Sequence, residues 1–302
     1  MKIINKKSKR SCPKTLCIVT GIHGNEAHLF KPLSNFILSL KDLPVNIKII
    51  LANEEAAKKN VRYLESDLNR VFNKNKKNHE GRLSKKILEE CDGNLIIDLH
   101  THQNKEKFGL IPKESFNNLK GYADYLGFEN CIVLSNKITG KGSFIENVKN
   151  GLSIETGQHC SKESIDFAKY CIKKAIDFLS SDVIYKNKTR YIEGVKFMAN
   201  NGCFKIIINS KIKNFEKVFA GQKITKKITA KEDFIPTLVS RVVPPGKKIL
   251  MICKEMGIEN GVISKEEGGK FRYDGNFNLR KAFLHQFDNI TKRLMKKSKD
   301  KQ

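Results

Sequence analysis

A chain of 302 residues, 39% hydrophobic, can bury a core in two domains, or in one large domain with an appendage. Its formal net charge of +25 points to anionic partners, yet 48 of its 57 basic residues are Lys and only 9 are Arg, the fork that base and phosphate readers favour. No nucleic-acid motif, no basic–aromatic interleaving and no run of ~18 uncharged apolar residues occurs, so neither a specific nucleic-acid partner nor a membrane is expected.

Residues 1–10 carry five basic groups and no acid. No apolar segment follows them, so they do not read as a secretory signal. An apolar run at 16–20 reads as a buried strand stopped by Gly21. Apolar residues spaced by three and four over 26–40 predict a helix, with Pro32 near its start. A strand at 46–51, a helical piece at 54–60, an ordered loop at 62–72 and a helix ending near Cys91 follow. Strands are expected at 94–99, 108–111, 131–134 and 152–156, with helices over 113–126 and 162–179. This alternation predicts an α/β domain over residues 1–182, with helices on both faces of a sheet. From about 183 to 290 short apolar segments are separated by Gly, Pro, Asn and Lys turns, which predicts a smaller all-β domain, with helical periodicity resuming only near Leu279. Residues 291–302, with six basic groups and one acid, read as a mobile basic tail. The eight cysteines form no CxxC pair and read as reduced thiols of a cytoplasmic protein.

Chemistry concentrates at the strand ends. Just past the first strand, His23 and Glu26 stand three apart in Gly-Ile-His-Gly-Asn-Glu, the start of a zinc site of the two-His, one-carboxylate kind. By themselves they are no more than a solvated pair. In the run Leu95-Ile96-Ile97-Asp98-Leu99-His100, period two puts Asp98 and His100 on one face. His100 can supply the third ligand, leaving a fourth position open, as in catalytic zinc sites. His102, on the same face, is an alternative. An unpartnered Asp98 in so apolar a run would be costly, and a ligating imidazole is a natural partner for it. Arg62 and Arg70 are retained where the chain otherwise uses Lys, which suggests recognition of a carboxylate or of developing negative charge. A plain salt bridge from Arg62 to Asp67 or Glu65 is the competing reading. Glu155, at the end of an apolar strand and followed by Thr156-Gly157, is suited to general-base and then general-acid work.

Four motifs together, Gly-Ile-His-Gly-Asn-Glu (21–26), Arg-Tyr-Leu-Glu-Ser-Asp-Leu-Asn-Arg (62–70), Asp-Leu-His (98–100) and Ile-Glu-Thr-Gly (154–157), resemble the succinylglutamate desuccinylase and aspartoacylase family, relatives of the zinc carboxypeptidases. The resemblance covers residues 15–160 and implies a zinc-carboxypeptidase-like α/β/α domain with a mixed central sheet, followed by a smaller all-β domain. It implies that His23, Glu26 and His100 hold one zinc ion and that Glu155 activates the water that attacks an amide carbonyl. Arg62 would stabilise the oxyanion, and Asn69 and Arg70 would hold the carboxylate of the amino-acid half. The expected substrate is therefore a small anionic N-acyl amino acid. Aspartoacylases carry a further substrate-binding Arg about ten residues before the catalytic Glu; here Ile145 stands near that place. Lys141 is the nearest cation to replace it, and Tyr273 is the guess for the family's C-terminal tyrosine. Two rival readings are a carboxypeptidase-like peptidase acting on a peptide or cell-wall fragment, and a basic binding protein on an inactive hydrolase scaffold. Homo-oligomerisation is left open.

Overall fold

The computed structural model describes residues 1–256 other than 12, 92, 94, 181–184, 187, 188, 202 and 203, together with 262–265 and 271–274; side chains at 136, 137, 185, 186 and beyond 256 are outside the description. Its strands are β1 (Lys2–Lys6), β2 (Thr15–Thr20), β3 (Asn46–Leu51), β4 (Leu95–His102), β5 (Phe108–Pro112), β6 (Asn130–Leu134) and β7 (Gly151–Gln158). They continue with β8 (Tyr185–Lys186), β9 (Arg190–Ala199), β10 (Ile206–Ile207), β11 (Ile235–Thr237), β12 (Val242–Val243), β13 (Lys248–Glu255), β14 (Val262–Lys265) and β15 (Phe271–Asp274). The α-helices are α1 (Phe30–Ser39), α2 (Glu54–Lys58), α3 (His79–Glu90), α4 (Phe116–Leu126), α5 (Asn136–Thr139) and α6 (Lys162–Ser180).

Among the described residues, ten strands form one mixed sheet in the order β1-β3-β2-β4-β7-β5-β6-β9-β13-β11. Strands β3, β2, β4 and β7 are parallel neighbours, as connections through helices require, whereas β5 runs antiparallel to β7. Alternation along β4 sends Ile97 and Leu99 into the core beneath α1, α4 and α6, and Ile96 into a second core on the opposite face. The mixed α/β class expected from the sequence is thus present. The C-terminal region pairs directly onto the sheet: β9 lies along β6, and β13 and β11 extend it. A two-stranded sheet of β10 and β12, a three-stranded sheet in the order β15-β14-β8 and a third core around Ile212, Ile224 and Ile249 also belong to that region.

One strand is added to those expected, and the start of one helix is corrected. Residues 2–6 are an edge strand paired with β3, because Ile3 and Ile4 supply apolar contacts while flanking lysines blunt the edge. Residues 24–29 form a 3₁₀ segment, and the α-helix starts only at Phe30, two residues before Pro32. The expected helix after Leu279 and the tail at 291–302 fall outside the described residues, as do Cys12 and Cys203; Tyr273 lies on β15, with its side chain outside the description. No helix among the described residues is long and apolar enough to cross a membrane. The cysteines described are all free, with Cys17 and Cys91 buried in contact at 4.0 Å.

One buried acid sets a pH dependence of stability. Asp124 of α4 is pushed up to about 6 by burial, opposed by the Tyr191 hydroxyl 2.8 Å away and by the charge of Lys120. Because its folded pKa exceeds the ordinary 3.8, its favourable contribution is full below pH 3.8 and lost as pH rises through 6. Asp124→Asn, which keeps an acceptor for Tyr191, should therefore stabilise the protein at pH 7 by roughly 1–3 kcal/mol, with the gain fading by pH 4. Urea unfolding at both pH values tests this.

Candidate metal and active site

Parallel pairing of β2, β4 and β7 brings three strand ends together at the sheet centre, where open α/β sheets bind ligands. Register makes Asp98 the neighbour of Ser153 and His100 the neighbour of Glu155. His23 leaves β2 through a turn in which Gly24 packs so tightly that a Cβ would lie 2.4 Å from the backbone of Ala56. The 3₁₀ segment after it turns Glu26 back over the imidazole: Glu26 Oε1 lies 2.7 Å from His23 Nδ1, and Oε2 lies 2.9 Å from His100 Nδ1. The amide of Thr101 donates to the same Oε2 at 3.1 Å, fixing the carboxylate. His23, Glu26 and His100 are buried, and their ligand atoms lie within 4.8 Å of one another.

The electrostatics of this cluster call for a cation. Burial opposes charging of His100, but Asp98 and Glu26 on its two sides hold its pKa well above the ordinary value. Burial likewise opposes Glu26, yet His100 and His23 keep it well below the carboxylate range. A divalent ion among the three donors satisfies the same demand while freeing both Nδ1 atoms as ligands. The second nitrogens are already oriented: His100 Nε2 is 2.8 Å from Asp98 Oδ2, which also accepts from Ser153 Oγ at 2.8 Å, and His23 Nε2 is 3.3 Å from Asp67 Oδ1. Acidic partners behind ligating histidines fix tautomer and ring orientation.

Glu155 is aimed at the cluster with its Oε2 buried and unpartnered. Burial pushes its pKa up, opposed by His100 and reinforced by Glu26. Arg62 forms the salt bridge that the competing reading required: its Nε and terminal nitrogen donate to Asp67 Oδ2 at 3.2 and 3.1 Å. The pair nevertheless holds the guanidinium over the cluster, 3.9 Å from Glu26 Oε1. Asn69 accepts from the Phe144 amide at 2.8 Å, and Arg70 reaches the Asn69 carbonyl at 2.7 Å. Both side chains line a cavity of about 240 Å³ with His23, Glu26, His100, Arg62 and Glu155. His102 also lines it, but its ring is bound locally, to the Glu106 carbonyl and the Asn104 amide.

Lys141 does not reach the cavity. It sits exposed on a turn at φ 58°, and the lysine that lines the wall is Lys248 of β13, 3.5 Å over the Phe197 ring. Burial, with the charge of Arg70 adding, lowers the Lys248 pKa. Sequence reasoning also missed Glu80. This fully buried acid at the start of α3 accepts from the amides of Leu64, Glu65 and Ser66 at 2.7, 3.2 and 3.1 Å and from Asn53 Nδ2 at 3.2 Å. It clasps the loop that carries Arg62, Asp67, Asn69 and Arg70. Its only signal in the sequence is an acid next to a helix start. Glu80→Ala should cut kcat/KM on the order of 10²-fold through misplacement of that loop while bound metal stays near wild type, because Glu80 touches no ligand. Kinetics paired with metal analysis separates the two effects.

A mixed α/β sheet with two His and one Glu converging at its strand ends, and Glu155 with a buried unpartnered oxygen beside them, is an arrangement suited to hydrolysis. The family model for the succinylglutamate desuccinylase/aspartoacylase catalytic domain matches residues 12–177, and the chain belongs to that family. It is 34% identical over 125 residues to a succinylglutamate desuccinylase of Yersinia enterocolitica, a match spanning 34% of this chain and 37% of that protein's length. Among solved structures, it superposes on a succinylglutamate desuccinylase/aspartoacylase of Rhodobacter sphaeroides with a TM-score of 0.66 at 14% identity, over 85% of this chain and 89% of the other. Murine aminoacylase 3 is similar in fold, with a TM-score of 0.64 at 14% identity, over 88% of this chain and 100% of the other.

Proposed function

We propose that the chain is a zinc-dependent amidohydrolase that cleaves the amide bond of a small N-acyl amino acid. The observation that carries this reading is the buried His23, Glu26 and His100 set with the unpaired Glu155 oxygen on the adjacent strand, directly beside His100. Bound there, zinc would supply Lewis acidity and lower the pKa of water. Glu155 takes the proton of the attacking water and returns it to the leaving nitrogen; its burial favours holding that proton between the two steps. Arg62, steadied by Asp67, places positive charge where the carbonyl oxygen becomes negative. Asn69 and Arg70 orient the carboxylate of the amino-acid half. The size of the cavity, with β9 and β13 forming one wall, favours a small substrate over a peptide. Metal analysis of purified protein, followed by an amine-release screen over N-acyl amino acids with and without chelator, tests the reading. About one zinc per chain and chelator-sensitive release are expected. Zinc without release from any compound would favour the peptidase reading, and no zinc after supplementation would favour the binding scaffold.

A further inference from the structure

The cavity is unevenly lined. Arg70 and Lys248, two cations of its lining, are exposed to solvent. Leu110, Leu134, Ile145 and Met251 of the same lining are buried, exposed by only 8%, 7%, 3% and 2%, and form its apolar floor. Ile138, partly buried, adjoins this floor. Gly194 of β9 backs it: a Cβ there would lie 2.7 Å from Met251 Sδ and 3.1 Å from Ile138 Cδ1, so the absence of a side chain admits these two.

The three hydroxyls on this side, those of Ser153, Ser143 and Thr139, have no hydrogen to offer an anion. Ser153 Oγ donates to Asp98 at 2.8 Å. Ser143 Oγ donates to Glu146 Oε2 at 2.5 Å, and Thr139 Oγ1 donates to Glu146 Oε1. A carboxylate pushed to this depth would lose its hydration, find each hydroxyl engaged and face the carboxylates of Asp98 and Glu146. A hydrocarbon group there would meet four buried apolar side chains and lose only water.

Resting on the amidohydrolase reading, we propose that the floor of the cavity is an apolar subsite: the substrate is an N-acyl amino acid that directs its carboxylate outward to Arg70 and Lys248 and an uncharged hydrocarbon group inward to Leu110, Leu134, Ile145 and Met251. That group is either the acyl chain or the amino-acid side chain. Where the resemblance implies an arginine, Ile145 thus changes what the cavity accepts.

The test uses two pairs of compounds matched in shape and differing in charge: N-acetyl-L-leucine against N-acetyl-L-aspartate, and N-pentanoylglycine against N-succinylglycine. N-acetylglycine is the reference. Dissociation constants are measured calorimetrically on zinc-loaded Glu155→Gln protein, and kcat/KM on the wild type. In at least one pair the hydrocarbon member should bind at least ~10-fold more tightly than its charged counterpart, with a negative heat-capacity change. The pair that shows the preference identifies the group that enters. Ile145→Lys should reduce that ratio by at least ~10-fold. Ile138→Ala, at a partly exposed position that tolerates truncation, should reduce it by a smaller factor. Equal or tighter binding of the charged members in both pairs, hydrocarbon members no better than N-acetylglycine, or no binding of any compound would each overturn the subsite. A hydrocarbon preference in binding without turnover by the wild type would sink the amidohydrolase reading alone, and turnover that favours the charged members would sink the subsite alone.

Discussion

Glu155→Gln should retain zinc at the wild-type level and lose about 10³-fold or more in kcat, at the upper part of the range for removing a general base that also serves as acid. The amide keeps the shape and fills the same space between β4 and β5, so substrate placement should change little and KM should move far less than kcat. A second readout separates this group from a structural acid. Burial raises the Glu155 pKa, and a carboxyl with a raised folded pKa costs stability once pH passes its unfolded value. In metal-free protein at pH 7, the glutamine variant should therefore be as stable as wild type or more stable. Loss of activity with unchanged or improved stability is the expected pair of results; near-normal turnover with full metal content would remove Glu155 from the mechanism. The unpartnered Oε2 is the structural reason, since a buried acid kept only for packing would be expected to have its lone pairs used.

The site was legible in the sequence where its chemistry follows short-range rules. Period two along a strand is enough to put Asp98 and His100 on one face, and a strand followed by Gly is enough to place His23 at a strand end. That β2, β4 and β7 lie side by side is a property of long-range pairing; the ordered motifs gave it only through resemblance. Glu80 and Lys248 were not legible for the same reason. Glu80 acts through amides 14–16 residues before it, and nothing in its neighbours marks a loop clasp. Lys248 becomes part of the cavity only because β13 pairs with β9 and stacks the amine over Phe197, whereas Lys141, closer in sequence to the motifs, is turned outward. The strand at the N-terminus was not legible for a different reason: two isoleucines among lysines give little strand signal, yet they suffice to dock an edge strand, and the lysines protect that edge.

The same logic of compensated burial makes His100→Ala the other large effect. The substitution removes one of three ligands, so zinc affinity should fall by more than the roughly 10–100-fold typical of losing a partner behind a ligand. It also leaves Asp98 and Glu26 without the imidazole that bridges them, and Glu26 without the charge that keeps its pKa low. Metal-free His100→Ala should therefore be markedly less stable than metal-free wild type at pH 7, and the deficit should shrink toward pH 5 as Glu26, no longer held low by His100, takes up a proton. Asp98→Asn offers the graded comparison: it keeps an acceptor for His100 Nε2 and Ser153 Oγ but removes the charge, so zinc should bind about 10–100-fold more weakly and still saturate at high concentration. Thermal unfolding with and without chelator distinguishes the three proteins. Wild type should lose stability on chelation, Asp98→Asn should lose less, and His100→Ala should not respond. A chelator response of His100→Ala equal to that of wild type would mean that the ion sits elsewhere, and the cluster of His23, Glu26 and His100 would then be a buried ion-pair network and no metal centre.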